Sequence, residues 1–433
     1  MNWISLVGFG IFLGIILSMT RKGADPFSPA RIFGIVWSLC IALVEFKFSG
    51  LQKAWSIESW ILLMIGTGAF LTGTYIAYTL NLDKELVPIS VMRQLLRKEK
   101  IREGRLFGLI CLSIMVYAIS FVVIYLVKGF LPIFVVGTSV SRVDFYVFGF
   151  GVLINSTAFI VFFTLLYCLA IPGEKRKKLI LVVLSMIALG SYFLLLQRFQ
   201  IIMAIVMSMT LLFYASRHMR PRTLFFPTAL AVAFFYWISS FRFSNVVSTF
   251  LYSTSKMKFP KAYALFTEPY MYVVMNLENF SHATDHLEHY TYGYFTLDFV
   301  TAIAGLKYWV LEYFGLDRMP FLFSSYNTYT AFWWFYSDFG VVGLAVIPLL
   351  LGFGAGALYY RMRQAPTIRR VTAYSVMVFV TAISFFVFPM ANLWFEYNIA
   401  ALYLILRWTI VPLDGADSAR QVMGRDHAER LPE

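Results

Sequence analysis

Charge is what this chain has least of. Asp, Glu, Lys and Arg together make up 14% of its 433 residues, roughly half the share found in soluble domains. That scarcity excludes an ordinary water-exposed surface. Cysteine is scarce too: Cys40, Cys111 and Cys168 each lie inside an apolar stretch. They read as small buried hydrophobes, imply no disulfide framework and carry no information about redox compartment. The alternating pattern of membrane barrel strands is missing, which excludes a barrel. No internal repeat and no low-complexity block occurs. Met1 and Asn2 lead straight into an apolar run, without a basic segment or a small-residue cleavage site. A cleavable signal is therefore not expected.

Apolar sequence takes the place of charge. Hydrophobic residues are 60% of the chain and the mean hydropathy is +0.72. Runs of about twenty apolar residues recur, each long enough to cross a hydrocarbon core of ~30 Å. They fall near 3–19, 31–46, 59–80, 107–127, 146–170, 179–196, 201–215, 223–240, 331–358, 371–390 and 393–412. Lipid tolerates no unpaired backbone, so each is expected to be a helix. The expected fold is an all-α polytopic membrane domain over 1–412 with about eleven spans. A large loop interrupts it at 241–330, and 413–433 forms a tail expected to be disordered.

The formal charge of +13 does not point to nucleic acid, because of where it sits. Arg21, Lys22 and Arg31, the stretches Arg93 to Arg105, Lys175 to Lys178, Arg217 to Arg222 and Arg361 to Arg370 all occupy short connections. Counting through the spans puts every one on the same side, which the positive-inside rule makes cytoplasmic. The amino terminus is then outside and the tail inside. The connection 81–105 reads as an amphipathic helix, with Met92, Leu95 and Leu96 apolar and Arg93, Arg97 and Lys98 charged. It fits the inner leaflet or an ordinary connector helix equally.

Three outward segments bear on function. The first, 128–144, carries Arg142 and Asp144; the second is the hairpin Gln197-Arg198-Phe199-Gln200. The third is the long loop, of a length that membrane proteins usually keep for binding or chemistry. Its two lesser apolar runs, Phe295 to Val310 and Leu311 to Phe323, are interrupted by Asp298, Lys307, Glu312, Asp317 and Arg318. They fit interfacial or re-entrant helices on the outer face.

Arg198 is the sharpest polar signal. It breaks a nearly continuous apolar run from Leu179 to Tyr214, where a cation at mid-membrane costs at least ~2.5 kcal/mol. Either it snorkels to the interface as an anchor, or its fork of donors captures an anion such as a lipid phosphate. Arg242 opens the long loop, and with Arg198 and Arg142 would form an outward cationic site. His282, Asp285, His286 and His289 share helical spacing, which suits a metal, a general base or a polar face on the headgroups. Tyr326-Asn327-Thr328-Tyr329-Thr330 and then Tyr336-Ser337-Asp338-Phe339-Gly340 lead into the next span. Aromatics and hydroxyls of this kind grip sugars or form an interfacial belt. Asn392 and Glu396 stand one turn apart at the outer end of the last span, where Glu396 is a candidate base or a partner for an arginine.

The order of these features resembles the oligosaccharide repeat-unit polymerases (O-antigen or Wzy-type polymerases) of the bacterial envelope. The resemblance rests on Arg198 in Gln-Arg-Phe-Gln, Arg242 after the next span, the long outward loop, Asn327-Thr328-Tyr329-Thr330, and Asp338-Phe339-Gly340-x-x-Gly343. It covers about residues 141–360, with hydropathy alone matching before that. The family carries outward arginines in two loops, whereas here the first sits in a very short hairpin.

The resemblance implies a GT-C-like membrane glycosyltransferase in the bacterial inner membrane, its loop 241–330 and active site facing the periplasm. Its substrate would be an undecaprenyl-pyrophosphate-linked oligosaccharide, whose growing chain moves onto the next lipid-linked unit without a metal or other cofactor. A flippase and a chain-length regulator would be its partners. On that reading Arg198 and Arg242 hold the pyrophosphate, with Arg142 and Arg318 as further cations. Asp338, Glu278, His282, Asp285 and Glu396 are the candidate bases, and Tyr326, Asn327 and Thr330 contact sugar. An O-antigen ligase would look alike in hydropathy. A transporter of lipid-linked sugars would instead call for repeats and polar residues at mid-membrane depth.

Overall fold

The apolar runs fold largely as helices in the computed structural model, which describes residues 3–21, 23–135, 144–216, 245–317, 320–323, 326 and 328–411. Arg142, Arg242, Arg318, Asn327, the expected span 223–240 and the tail 413–433 lie outside the described residues. In chain order the helices are α1 (Trp3–Met19), α2 (Pro29–Val44), α3 (Ile57–Thr79), α4 (Ile89–Lys98) and α5 (Glu103–Lys128). Next come α6 (Phe150–Ala170), α7 (Lys175–Phe193), α8 (Phe199–Ala215), α9 (Asn245–Thr254) and α10 (Thr267–Thr284). The chain continues through α11 (Asp298–Ile303), α12 (Lys307–Tyr313), α13 (Ala331–Gln364), α14 (Ile368–Ile383) and α15 (Leu393–Thr409). Among the described residues there is no strand, only two isolated bridges, Ser49 to Met257 and Ile101 to Ile410.

Local chemistry sets several boundaries. Ser56 caps α3 by accepting from the Ser59 amide at 3.0 Å, and Thr367 caps α14 by accepting from the Arg370 amide at 3.2 Å. Such caps satisfy amides that the first helical turn leaves unpaired. Gly129 ends α5 at φ +72°, where a side chain would be strained. Among the described residues four helices, α3, α5, α6 and α13, are long and apolar enough to cross a membrane. Helices α1, α2 and α8 are apolar but have 16 or 17 residues, about 25 Å of rise against a ~30 Å core. Among the described residues, then, four of the about eleven expected spans reach that length.

Helices α3 and α13 run side by side in the same direction, in backbone contact. A Cβ added at Gly352 would fall on the Phe70 carbonyl, one at Gly73 on the Leu349 carbonyl, and one at Gly356 would lie 2.5 Å from the Ala77 Cβ. Small residues are what allow two helices this close.

Of the basic connections expected on one side, the described ones meet at one end of the bundle; Lys22 and Arg217 to Arg222 lie outside the described residues. Asp25, between α1 and α2, pairs with Arg363 at the end of α13 at 2.7 Å, and Tyr214 at the end of α8 bonds the same carboxylate at 2.8 and 2.9 Å. Arg363 and Val87 exchange backbone and side-chain bonds, and Arg369 donates to the Ile410 carbonyl at 3.1 Å. Helix α4 sits here as well. Met92 and Leu96 are buried in the protein core, and Arg93 donates to the Phe213 carbonyl at 2.8 and 3.1 Å. Of the two expectations, inner leaflet or connector helix, this fits the connector: the apolar face is turned onto the protein, leaving Gln94, Arg97 and Lys98 exposed.

The long loop occupies the opposite end and is folded around α10. That helix buries Met271, Val274, Met275, Leu277 and Phe280 together with Asn276, Glu278, Asn279, Ser281 and Thr284. Two of the buried polar groups tie the loop to the rest of the fold. Asn279 donates to the Thr328 carbonyl at 2.8 Å and accepts from the Phe323 amide at 3.1 Å, pinning the strap that leads to α13. Glu278 accepts from Lys47 at 2.8 Å, Gln52 at 3.3 Å and the Lys53 amide at 3.3 Å, pinning the connection between α2 and α3. The two lesser apolar runs fold only as the short α11 and α12. Ile303, Leu306, Tyr308, Trp309, Tyr313 and Phe314 on or beside them are exposed.

Candidate functional site: an arginine–glutamate pair on an aromatic shelf

Arg198 sits where α7 turns back into α8. The turn is tight: Leu196 adopts φ +57°, a left-handed conformation that a branched residue reaches at a cost on the order of 1 kcal/mol. Tyr192 fixes the turn by donating to the Gln197 side-chain amide oxygen, Oε1, at 2.9 Å. Arg198 is the residue that caps α8, and this position carries its guanidinium out of the apolar run to the loop end of the bundle.

There it meets the first turn of α10. The Arg198 Nη2 lies 3.0 Å from Glu268 Oε1, with both side chains about five-sixths buried. The guanidinium also lies over the Tyr272 ring, 5.1 Å from its centroid. From Tyr272 a row of rings continues across the bundle. Tyr272 stacks on Phe386 at 5.2 Å and 11°, Phe386 meets Phe199 at 5.6 Å, and Phe199 stacks on Trp394 at 5.8 Å. An amphipathic shelf results, with a cation at one end and aromatic faces along it. Gln200 of the same hairpin is fully buried, and its amide has no partner among the described residues.

No family model, curated protein or solved structure matches this chain.

The other residues singled out from sequence are placed elsewhere. Rise along α10 decides most of them at 1.5 Å per residue. Glu278 lies about 15 Å from Glu268 along the helix, His282 about 21 Å and Asp285 about 25 Å. None can act as base on a bond held at Arg198. Glu278 is moreover 2% exposed and fully engaged with the α2–α3 connection.

The histidine face is also divided. Helix α10 ends at Thr284, so His289 lies beyond it. Asp285 turns to α3, accepting from Ser56 at 2.9 Å and Ser59 at 3.0 Å. The His282 and His286 rings lie 4.4 Å apart and pack instead on Phe323 and Phe321. Asp285 and these imidazoles do not converge as ligands of one ion.

Asp338 has a structural task. It is 0% exposed and accepts from the Phe295 amide at 3.1 Å, the Thr296 amide at 2.6 Å and the Thr291 hydroxyl. Two residues on, Gly340 breaks the helix at φ +61°, and a Cβ there would lie 2.8 Å from the Tyr290 hydroxyl. Asp338-Phe339-Gly340 is therefore a joint that docks 290–297 onto α13, rather than an exposed base.

The hydroxyl-rich strap is turned inward too. Thr330 is fully buried, and the Tyr326 hydroxyl bonds Ser255 at 2.7 Å. Burial raises the Tyr326 phenol above its usual range, the Ser255 bond opposing in part. Neither side chain forms an open sugar platform. Glu396 is half-buried in the first turn of α15, two residues beyond Trp394.

Four residues of the site, Glu268, Tyr272, Phe386 and Trp394, went unread in the sequence. Glu268 stands in Thr267-Glu268-Pro269, which signals a helix start and nothing more. Phe386 falls in an apolar run where one aromatic is indistinguishable from its neighbours. Its signal is the break that follows Ile383 before α15.

Proposed function

We propose that this chain is a membrane glycosyltransferase that polymerises lipid-linked oligosaccharide repeat units, passing a growing glycan from undecaprenyl pyrophosphate to the next unit at the outer face. The observation that carries the proposal is the Arg198 guanidinium, set at the loop end of the bundle over Tyr272 and beside the row Phe386, Phe199 and Trp394. A lipid pyrophosphate needs charge stabilisation as its bond to sugar breaks, and a preorganised donor in a water-poor site supplies ~3–4 kcal/mol. Sugar rings stack on aromatic faces. Cation and shelf together suit a substrate that is anionic at one point and carbohydrate beyond it.

On this reading the basic end of the bundle faces the cytoplasm and the α10 loop faces the periplasm. The exposed Tyr308, Trp309, Tyr313 and Phe314 fit the outer headgroup region, where amphipathic aromatics concentrate. The helices shorter than a full bilayer then count as spans, in keeping with the count of about eleven expected from the apolar runs.

The test is reconstitution with a synthetic undecaprenyl-pyrophosphate-linked repeat unit, followed by sizing of the products. Wild-type protein is expected to build a ladder, and Arg198→Ala to lower elongation by about 10²–10³-fold while inserting normally. Arg198→Ala elongating within a few-fold of wild type would end the assignment. Transfer to a lipid A core acceptor alone would mean a ligase, and movement of substrate across the bilayer without elongation a transporter.

A further inference from the structure

Arg198 in this structure is held by a carboxylate, and that carboxylate has no structural task of the kind that occupies Glu278 and Asp338. Among the described residues the one group bonded to Glu268 is Arg198. Glu268 projects from the first turn of α10, where the helix dipole favours an anion. Both side chains keep about one-sixth of their surface exposed, so the pair opens to the face that a substrate approaches.

We propose that Glu268 is the general base of the transfer, released from Arg198 when the substrate pyrophosphate takes its place. This rests on the reading of the site given above. Without substrate the pair leaves no uncompensated charge in a largely desolvated position. A pyrophosphate is the stronger and multiply charged partner for a guanidinium, and it repels a carboxylate at the same donors. Glu268 then swings away with its charge unpaired, beside the atoms that react.

The step balances without any co-reactant. The acceptor sugar hydroxyl attacks the anomeric carbon, forming the new C–O bond. The bond from that carbon to the pyrophosphate oxygen breaks, its electron pair leaving on the lipid pyrophosphate paired with Arg198. The hydroxyl proton passes to a Glu268 oxygen, from which water later removes it. A base must lie within about 2.6–3.2 Å of that hydroxyl. His282 and Asp285, about 21 and 25 Å along the helix, cannot meet that requirement.

The test uses the full chain in nanodiscs and measures binding and elongation separately. Glu268→Gln is expected to bind undecaprenyl pyrophosphate as tightly as wild type or tighter, since it no longer competes for Arg198. It should elongate at least about 100-fold more slowly and lose the acid limb of the pH–rate profile. Formate should restore part of the rate to Glu268→Ala, which a merely structural role would not allow. Glu268→Asp, which keeps the charge, should bind normally and elongate at least about tenfold more slowly, and it decides the matter should the Gln variant fail to insert.

Elongation by Glu268→Gln within threefold of wild type would overturn the proposal. So would binding and elongation falling together in both variants, because Glu268 would then only position Arg198. Loss of the acid limb in Glu396→Gln but not in Glu268→Gln would transfer the role to Glu396. Should wild-type protein neither bind nor elongate the lipid-linked unit, the glycosyltransferase reading itself fails and takes the base with it. A wild-type enzyme that elongates alongside an active Glu268→Gln sinks the base alone.

Discussion

Removing the Asp25 carboxylate tests the packing of the basic end with a magnitude set by the structure. Asp25 is 4% exposed and Arg363 8%. The carboxylate accepts from Arg363 Nη1 at 2.7 Å, Tyr214 at 2.8 and 2.9 Å, Tyr359 at 3.0 Å and the Phe27 amide at 3.0 Å. It thereby joins the α1–α2 connection to α8 and α13. Asp25→Ala strands the Arg363 charge, a loss of ~3–5 kcal/mol for a broken buried pair. At about 2 °C per kcal/mol for a protein of this size, the melting temperature should fall by ~6–10 °C. Deleting both charges removes the desolvation penalty too, so Asp25→Ala with Arg363→Met should recover most of the loss. The assay is thermal unfolding of purified protein in one detergent, completed as a double-mutant cycle. A single variant within about 2 °C of wild type, or a double variant no better than the single, would refute the argument.

Three further outcomes follow from the same contacts. Gly352→Leu should abolish accumulation of folded protein because its side chain would strike the Phe70 backbone, while Gly354→Leu, with open space beside it, should accumulate normally in membranes. Equal yields would mean that α3 and α13 are not so close. Asp338→Ala frees the Phe295 and Thr296 amides, at ~1–3 kcal/mol for each buried group left unsatisfied. Amide exchange over 291–297 should accelerate with little change in α5 to α8; unchanged exchange would remove Asp338 from the joint. Glu99 has its carboxyl raised by burial, with the Ile368 amide and the charges of Arg369 and Arg370 opposing. A raised folded value means that its favourable contribution is complete below the unfolded pKa of about 4.5 and is lost as pH climbs through the folded value. Glu99→Gln should therefore gain stability relative to wild type by melting temperature as pH rises above about 4.5, and parallel curves would contradict this.

The helices were legible because long apolar runs report on lipid directly. The break at Arg198 was legible for the same reason, since a cation within such a run must leave it. Partnerships were not. Asp25 stands in Ala24-Asp25-Pro26 and Glu268 before Pro269, and both read as turn or helix-start chemistry. Only folding shows that each meets an arginine from a helix remote in sequence. His282, Asp285 and His289 seemed to share a face because helical spacing was extended past Thr284, where α10 stops. Asp338 and Thr330 carry polar groups at a helix start, which reads equally as a site or as a joint. In this fold, burial and backbone amides decide for the joint.

The most direct measurement of the central claim is equilibrium binding of undecaprenyl pyrophosphate to purified wild type and Arg198→Ala, with undecaprenol as the uncharged control. A charge-assisted bond worth ~1.5–3 kcal/mol predicts about 10–150-fold weaker binding of the pyrophosphate by the variant, and no difference for the alcohol. Equal affinity of both proteins for the pyrophosphate would contradict the account.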